Sequence, residues 1–187
     1  MIKEGIEAIL RELDIQDYVI QDDGTVDVPG TVDISFMDLE KIPLFFGHVR
    51  GDFNCSNNKL TSLAGAPHSV GISFFCHNNL LTSLEHAPHQ IGKSFICKGN
   101  RLSTLSGAPD TINGSFDCSE NHLPSLAAGP VTVNGTYDCS HNRLSDLKGL
   151  PQFMQGALYC LGNPMQPDTL ARYKQSSSLI IIGDEEE

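Results

Sequence analysis

The sequence lacks a long apolar run and a basic amino terminus. Its densest apolar run, residues 179–182, is far shorter than the roughly 20 residues that a membrane-spanning helix needs. Acidic residues near the start stand where a secretory signal peptide needs basic ones. We therefore predict a cytoplasmic protein with no membrane partner. The length of 187 residues, with 40% hydrophobic and 19% charged side chains, fits one folded domain.

Lysine and arginine are scarce, with 12 basic against 23 acidic residues and a formal net charge of -11. Residues 1–52 hold four basic and twelve acidic residues, a balance of -8, whereas residues 53–163 hold six of each. Direct binding of nucleic acid is not expected, because phosphate contacts need clustered basic residues. The acidic first segment allows an alternative, a nucleic-acid mimic that occupies a basic protein surface. The aspartates proposed for that role are Asp14, Asp17, Asp22 and Asp23.

Recognisable catalytic motifs are missing as well. The chain contains no glycine-rich phosphate-binding loop and no zinc-protease helix motif. Its seven histidines form no triad with a serine or cysteine nucleophile. We predict no catalytic residue, no enzymatic activity and no cofactor.

The dominant feature of the sequence is a 21-residue repeat. Cysteine recurs at this spacing, mostly with an aromatic residue two positions before it and always with asparagine three positions after it. Leucine follows the asparagine by two and by five residues, proline by nine and an aliphatic residue by twelve, with Met165 in the last coil. The cysteines are Cys55, Cys76, Cys97, Cys118, Cys139 and Cys160. The asparagines are Asn58, Asn79, Asn100, Asn121, Asn142 and Asn163.

The unit aromatic-x-Cys-x-x-Asn-x-Leu-x-x-Leu, followed by a proline turn, resembles the leucine-rich repeat with Phe and Cys in two leucine positions. It is similar to repeats of short proteins from large tailed bacteriophages and some bacteria. The resemblance covers about residues 32–165, or about six coils, and implies a leucine-rich-repeat solenoid of the α/β horseshoe class. It also implies a non-enzymatic protein-binding module, such as a phage-encoded effector that inhibits a host defence protein. A catalytic domain like that of bacterial ubiquitin ligases with such repeats is not expected after residue 165.

The alternation of side chains predicts the structure of one coil. The aromatic residue and the cysteine should point inward from one short parallel strand per coil, with a bulge or tight turn before it. Each asparagine amide should bond backbone groups at the turn that leaves the strand. Proline and the short repeat favour a mostly non-helical convex side.

The cysteine column is interpreted as buried, reduced core packing. Stacking at about 5 Å would also permit disulfides, and a metal site is the third alternative, although the spacing is not that of zinc ligands. His68 and His89 share a column and could supply only two ligands, so a solvated surface is the preferred interpretation. We predict no metal site.

The ends should cap the solenoid. Residues 1–31 should form an amphipathic helix over 2–14 and a hairpin that turns at Asp22, Asp23 and Gly24. A degenerate first coil follows, with Met37 in place of asparagine. Residues 166–187 should form a helix over 169–175, then a closing strand or exposed edge at 179–182, then an acidic tail.

Outward positions on the strands should form the concave face, where such solenoids usually bind. Phe75 and Ile96 break the polar pattern there on adjacent coils and are flanked by His77 and Lys98. Apolar neighbours on an exposed face are candidate contact anchors, and coverage by a loop or cap is the alternative.

The carboxyl-terminal half of the same face offers two further groups. Tyr159 and Leu161 form a second apolar pair, which the C-terminal segment could cover. Asp117 and Asp138, with Glu120, should give an acidic half-face suited to a basic patch on a partner protein.

Overall fold

The structure is a computed structural model, which describes residues 2–176 and 180–183. It begins with helix α1, Ile2–Glu12, whose apolar residues recur at helical spacing. Glu4 in its first turn and Arg11 in its last turn both suit the helix dipole. Leu10 on the helix and Leu13 just after it are buried in the core, so the helix packs on this end of the solenoid.

The predicted hairpin follows. Strands β1, Val19–Ile20, and β2, Val26–Val28, pair antiparallel, and Gly24 in the turn between them has a φ of 85°. That left-handed conformation favours glycine. The Asp23 carboxylate accepts hydrogen bonds from the backbone N–H and the hydroxyl of Thr25, which fixes the turn.

Seven strands in parallel register start 21 residues apart and give about seven turns, the first of them formed by the degenerate coil. These strands are β3 (Val32–Asp33), β5 (Phe53–Asn54), β7 (Phe74–Phe75), β9 (Phe95–Ile96), β11 (Phe116–Asp117), β13 (Tyr137–Asp138) and β15 (Leu158–Tyr159). The solenoid and its strand register therefore agree with the sequence analysis.

Six further short strands alternate with these seven, whereas the sequence predicts only one strand per coil. These strands are β4 (Phe46–Val49), β6 (Ser69–Val70), β8 (Gln90–Ile91), β10 (Thr111–Ile112), β12 (Thr132–Val133) and β14 (Phe153–Met154). They hold the aliphatic column, and a three-residue turn such as 71–73 leads from one strand to the next. The second set forms two sheets, β1-β2-β4-β6-β8 and β10-β12-β14, separated between Ile91 and Thr111.

The core is made of stacked columns of identical or similar residues. The aromatic rings pack on one another, with centroids 5.3 Å apart for Phe74 and Phe95 and 5.5 Å apart for Phe95 and Phe116. All six cysteines are buried and none forms a disulfide, in agreement with the interpretation as core packing. The convex side carries no helix between residues 13 and 166, as the prolines predict.

The carboxyl-terminal end is covered by helix α2, Pro167–Ser176, and by strand β16, Ile181–Ile182, which pairs in parallel with β15. Leu170 and Ile181 are buried in the core, whereas Ile180 is 69% exposed. Of residues 179–182, which the sequence offers as a closing strand or an exposed edge, Ile181–Ile182 form a strand, while Leu179 and the acidic residues 184–187 lie outside the described residues. In the described part of the chain, no helix has the length and apolarity to cross a membrane.

Candidate functional site

The outward side chains of β3, β5, β7, β9, β11, β13 and β15 line one surface, here called the strand face. Its first column continues from coil to coil in register, and its second column lies two residues further along each coil. The first column is Asp33, Asn54, Phe75, Ile96, Asp117, Asp138 and Tyr159. The second is Ser35, Ser56, His77, Lys98, Ser119, Ser140 and Leu161.

Four coils share a polar arrangement on this face, in which Asp or Asn is followed two residues later by Ser. The Asp117 carboxylate accepts hydrogen bonds from the Ser119 N–H at 3.0 Å and from its hydroxyl at 2.6 Å. The same backbone contact joins Ser35 to Asp33, Ser56 to Asn54 and Ser140 to Asp138. A side chain that bonds its own turn stabilises that turn, so this pair accounts for the ordinary coil without any ligand.

Two adjacent coils depart from that pattern, as the sequence analysis predicts. Phe75 and Ile96 are register partners on β7 and β9, and both remain partly exposed. The His77 ring lies edge-on to the Phe75 ring, with centroids 6.3 Å apart. Here the self-bonded polar pairs are replaced by two adjacent apolar side chains, with His77 and Lys98 beside them.

His77 is a partly desolvated polar group beside that surface. Its Nδ1 atom is buried and has no hydrogen-bond partner among the described residues. Burial lowers the pKa of His77 below its usual value of 6.5, the positive charge of Lys98 lowers it further, and Asp117 opposes the shift. Burial and Lys98 therefore favour the neutral imidazole, and its unpartnered Nδ1 atom is a buried polar group of the kind that costs stability.

The acidic half-face is less free than the sequence analysis predicts. Asp117 and Asp138 are register partners, but each already has a carboxylate oxygen bonded to its own coil. Glu120 forms an ion pair with Lys98 at 3.3 Å, so these opposite charges offset each other. Negative charge remains at this end of the strand face, but it is partly engaged in holding the fold.

Tyr159 and Leu161 lie at the last coil and remain partly exposed. Ile182 on β16 is the register partner of Tyr159 and extends the first outward column by one residue. The C-terminal segment therefore reaches Tyr159, as the sequence analysis allows, and this end of the strand face is built partly from that segment.

Phe36 is a residue on the edge of this surface that sequence reasoning missed. The position before each of the six ladder asparagines, and before Met37 in the degenerate first coil, has a positive φ. Phe36 occupies it with a φ of 55° and is 79% exposed, an unfavourable combination for a bulky side chain. The column of residues at this position could have identified Phe36 from the sequence, because Phe36 is its one bulky apolar member. The column is Phe36, Asn57, Asn78, Gly99, Glu120, His141 and Gly162.

Histidines cluster on the proline side rather than the strand face. His68 and His89 stack through a backbone hydrogen bond from His89 N–H to His68 O at 3.0 Å, as their shared column predicts. The His48 and His68 rings have centroids 6.4 Å apart. Among the described residues, no three His, Cys, Asp or Glu side chains are arranged to hold a metal ion.

Parallel strands at 21-residue spacing, buried leucines and a bonded asparagine ladder define a solenoid of the leucine-rich-repeat type. A solved structure described as a Shigella effector LRR domain is similar, with a TM-score of 0.50 and 14% identity. The alignment covers 97% of this chain and 88% of that chain. No protein-family model matches the chain, and the comparison with curated proteins gave no match. At this identity the likeness supports the fold alone.

Proposed function

We propose that this protein is a non-catalytic module that binds a partner protein through the strand face, with Phe75 and Ile96 as anchors. One observation carries the proposal. Four coils place a self-bonded Asx and Ser pair on the face, and two neighbouring coils replace that pair with Phe75, His77, Ile96 and Lys98. Among the described residues, no hydrogen bond replaces the turn-stabilising pair in these two coils. An apolar contact with a partner would offset that loss.

The chemistry of the face indicates the kind of partner surface. Phe75 and Ile96 suit an apolar side chain, because burying their remaining exposed surface is favourable. The remaining exposed part of the His77 imidazole suits a polar group beside that side chain. The carboxylates of Asp117 and Asp138 suit a basic residue further along the partner. Tyr159 and Leu161 extend the contact at its carboxyl-terminal end.

We extend the proposal to an effector role, in which the protein is encoded by a phage and inhibits a host defence protein in the host cytoplasm. The resemblance of the repeat to those of short phage and bacterial proteins supports this extension. The solved domain described as part of a Shigella effector is compatible with it.

The test is a capture experiment with two matched double variants. Phe75→Ala with Ile96→Ala removes the anchors, and Phe153→Ala with Val131→Ala removes an exposed aromatic and an exposed aliphatic side chain from a different sheet. A protein captured from bacterial lysate by the wild type and by the control pair, and lost with the anchor pair, is the expected result. Equal capture by the anchor variant, with its thermal unfolding confirming a folded chain, would contradict the strand-face proposal.

The acidic mimic remains a second candidate because Asp14, Asp17, Asp22 and Asp23 are all exposed. Such a mimic should displace DNA or RNA from a basic protein. Replacing Asp14, Asp17 and Asp22 with Asn should abolish that displacement, and unchanged competition would exclude this role. The strand-face variants leave these aspartates intact, so the two candidates are separable.

A further inference from the structure

A pocket of about 390 Å³ lies outside the strand face, between the turn of the N-terminal hairpin and the proline turns of the following coils. Its lining comes from four separated parts of the chain, residues 23–25, residues 45–46, residues 64–68, and residues 86, 87 and 89. It therefore exists only once the hairpin has docked on the solenoid. None of its lining residues belongs to the strand face, and Asp23 is the only one that belongs to the acidic surface of the second candidate function.

One wall of the pocket is the side chain of Phe45, which is 68% exposed. Phe45 stands in a column where the next two coils have Ala66 and Ala87, both of which also line the pocket. A large ring beside small neighbours leaves a concavity with an aromatic face on one side. Exposing a phenylalanine ring to water is unfavourable, and the alanines of the next two coils show that the repeat does not require a large side chain at this position.

The polar groups of the pocket are one carboxylate and three imidazoles. Asp23 is held in place by the N–H and hydroxyl of Thr25, and these hydrogen bonds lower the pKa of its carboxyl group. His68, His86 and His89 lie around the same space. Asp23 therefore carries a fixed negative charge, while a neutral imidazole adds a ring nitrogen that can accept a hydrogen bond.

His86 occupies a strained position on this rim. The corresponding residues of the coils before and after it are Gly65 and Gly107, and all three have a positive φ, which is 69° at His86. Glycine adopts this conformation without penalty, whereas a histidine there costs conformational energy. The strained backbone thus places a third imidazole at the pocket.

We propose that this pocket binds the guanidinium group of an arginine side chain, stacked on Phe45 and paired with the Asp23 carboxylate. A guanidinium presents a flat face that stacks on aromatic rings and a fork of five N–H donors. The carboxylate and the imidazole nitrogens supply acceptors for that fork. A lysine ammonium would gain the charge pairing but not the stacking, and a carboxylate ligand would be repelled by Asp23.

The test is an NMR titration of the full ¹⁵N-labelled chain with N-acetyl-arginine methylamide. The matched probe is N-acetyl-citrulline methylamide, which has nearly the same shape without the charge. We expect saturable shifts of amides in residues 23–25, 64–68 and 86–89, with a dissociation constant of the order of 1 mM, typical of a weak small ligand. Citrulline should bind at least about tenfold more weakly, a difference of about 1.4 kcal/mol.

Two variants locate the contacts. Phe45→Ala and Asp23→Asn should each weaken arginine binding about fivefold to tenfold, and Asn can still accept the hydrogen bonds from Thr25. Phe153→Ala and Asp22→Asn are the matched controls, since they remove an exposed ring and an exposed carboxylate that do not line the pocket. These controls should leave the dissociation constant unchanged.

Several outcomes would overturn the proposal. Equal binding of citrulline would show that charge plays no part, and shifts confined to the strand face would place the site elsewhere. Stronger binding of N-acetyl-glutamate methylamide would make this an anion site formed by the histidines. Both pocket side chains are exposed, so dispersed spectra of the variants would confirm that any loss comes from the pocket and not from unfolding.

Discussion

The side-chain amide of Asn79 donates a hydrogen bond to the carbonyl oxygen of Cys55, one coil earlier, at 3.0 Å. Its amide oxygen accepts the N–H of Leu60 from that same coil at 2.9 Å. Each ladder asparagine repeats this pattern, with the carbonyl 24 residues before it and the N–H 19 residues before it. Asparagine therefore connects coils as well as closing its own turn.

Replacing Asn100 with Ala should destabilise the protein by about 3–5 kcal/mol, since it leaves the buried Leu81 N–H without a partner. It also removes one of the two asparagine hydrogen bonds that Cys76 O and Cys97 O each accept. Urea unfolding followed by circular dichroism measures the loss. Asn134→Ala is the control, because the exposed Asn134 side chain accepts just one long hydrogen bond among the described residues, at 3.4 Å from Gln155. Its effect should stay within about 0.5 kcal/mol. Similar losses for both variants would contradict the ladder.

Much of this arrangement could be predicted from the sequence, because the 21-residue period and the pattern of apolar and polar positions are both visible in it. The cysteine at position 76 and the asparagine at position 79 each recur every 21 residues, and residues that stack in register share the same environment. The second strands could not be predicted, since a pair such as Ser69 and Val70 is too short for a periodic signal.

The candidate sites were predictable only where they break a column. Phe75 stands out because neighbouring coils carry Asn54 and Asp117 at its position. The role of Phe45 depends on where the hairpin docks, which is a tertiary relation that no local pattern encodes.

The His77 imidazole should titrate below its ordinary pKa of 6.5, because burial and Lys98 disfavour its charged form. Lys98→Gln should raise the pKa of His77, and Asp117→Asn should lower it further. NMR titration of the ring protons measures both shifts. Lys93→Gln removes an exposed lysine that does not contribute to the His77 shift, and it should leave that pKa unchanged.

Tyr137→Phe should stabilise the protein by about 1 kcal/mol. Tyr137 stands in the column where the four preceding coils have phenylalanine, and its buried hydroxyl has no hydrogen-bond partner of good geometry among the described residues, with only the weak Cys118 thiol beside it. Thermal and urea unfolding measure the gain. The reverse change, Phe116→Tyr, should destabilise the protein, and a loss of stability in Tyr137→Phe would show that the hydroxyl is satisfied.

The cysteine column should make the protein sensitive to alkaline pH. Burial raises the pKa of the thiols of Cys55, Cys76, Cys97, Cys118 and Cys139, so these stay protonated in the folded state. The unfolded chain ionises them near an ordinary pKa of about 8.5. Stability is therefore fully present below that pH and falls as the pH rises above it, since unfolding then releases protons.

The five thiols together should give a slope approaching about 7 kcal/mol per pH unit once the unfolded chain is fully ionised, at about 1.4 kcal/mol for each. Urea midpoints measured between pH 7 and pH 10 test this slope. A double variant, Cys97→Ala with Cys118→Ala, should be less stable at pH 7 but should lose about two-fifths of the slope. An unchanged slope would assign alkaline unfolding to other groups.

Gly92→Ala should destabilise the solenoid by more than about 2 kcal/mol, because a Cβ atom there would overlap the carbonyl oxygen of Gly71 in the preceding coil. The obstacle is backbone that is itself bonded into the stack, so it cannot move aside as a flexible side chain could. Gly5→Ala on α1 is the matched control, since a Cβ atom there meets nothing within 4 Å. That change should stabilise the helix by about 1 kcal/mol, because alanine favours the helix over glycine. Urea unfolding of both variants measures the change in stability. If the close spacing of adjacent coils excludes a side chain at Gly92, the two changes have opposite signs. A tolerated Gly92→Ala would mean that adjacent coils can separate at this turn.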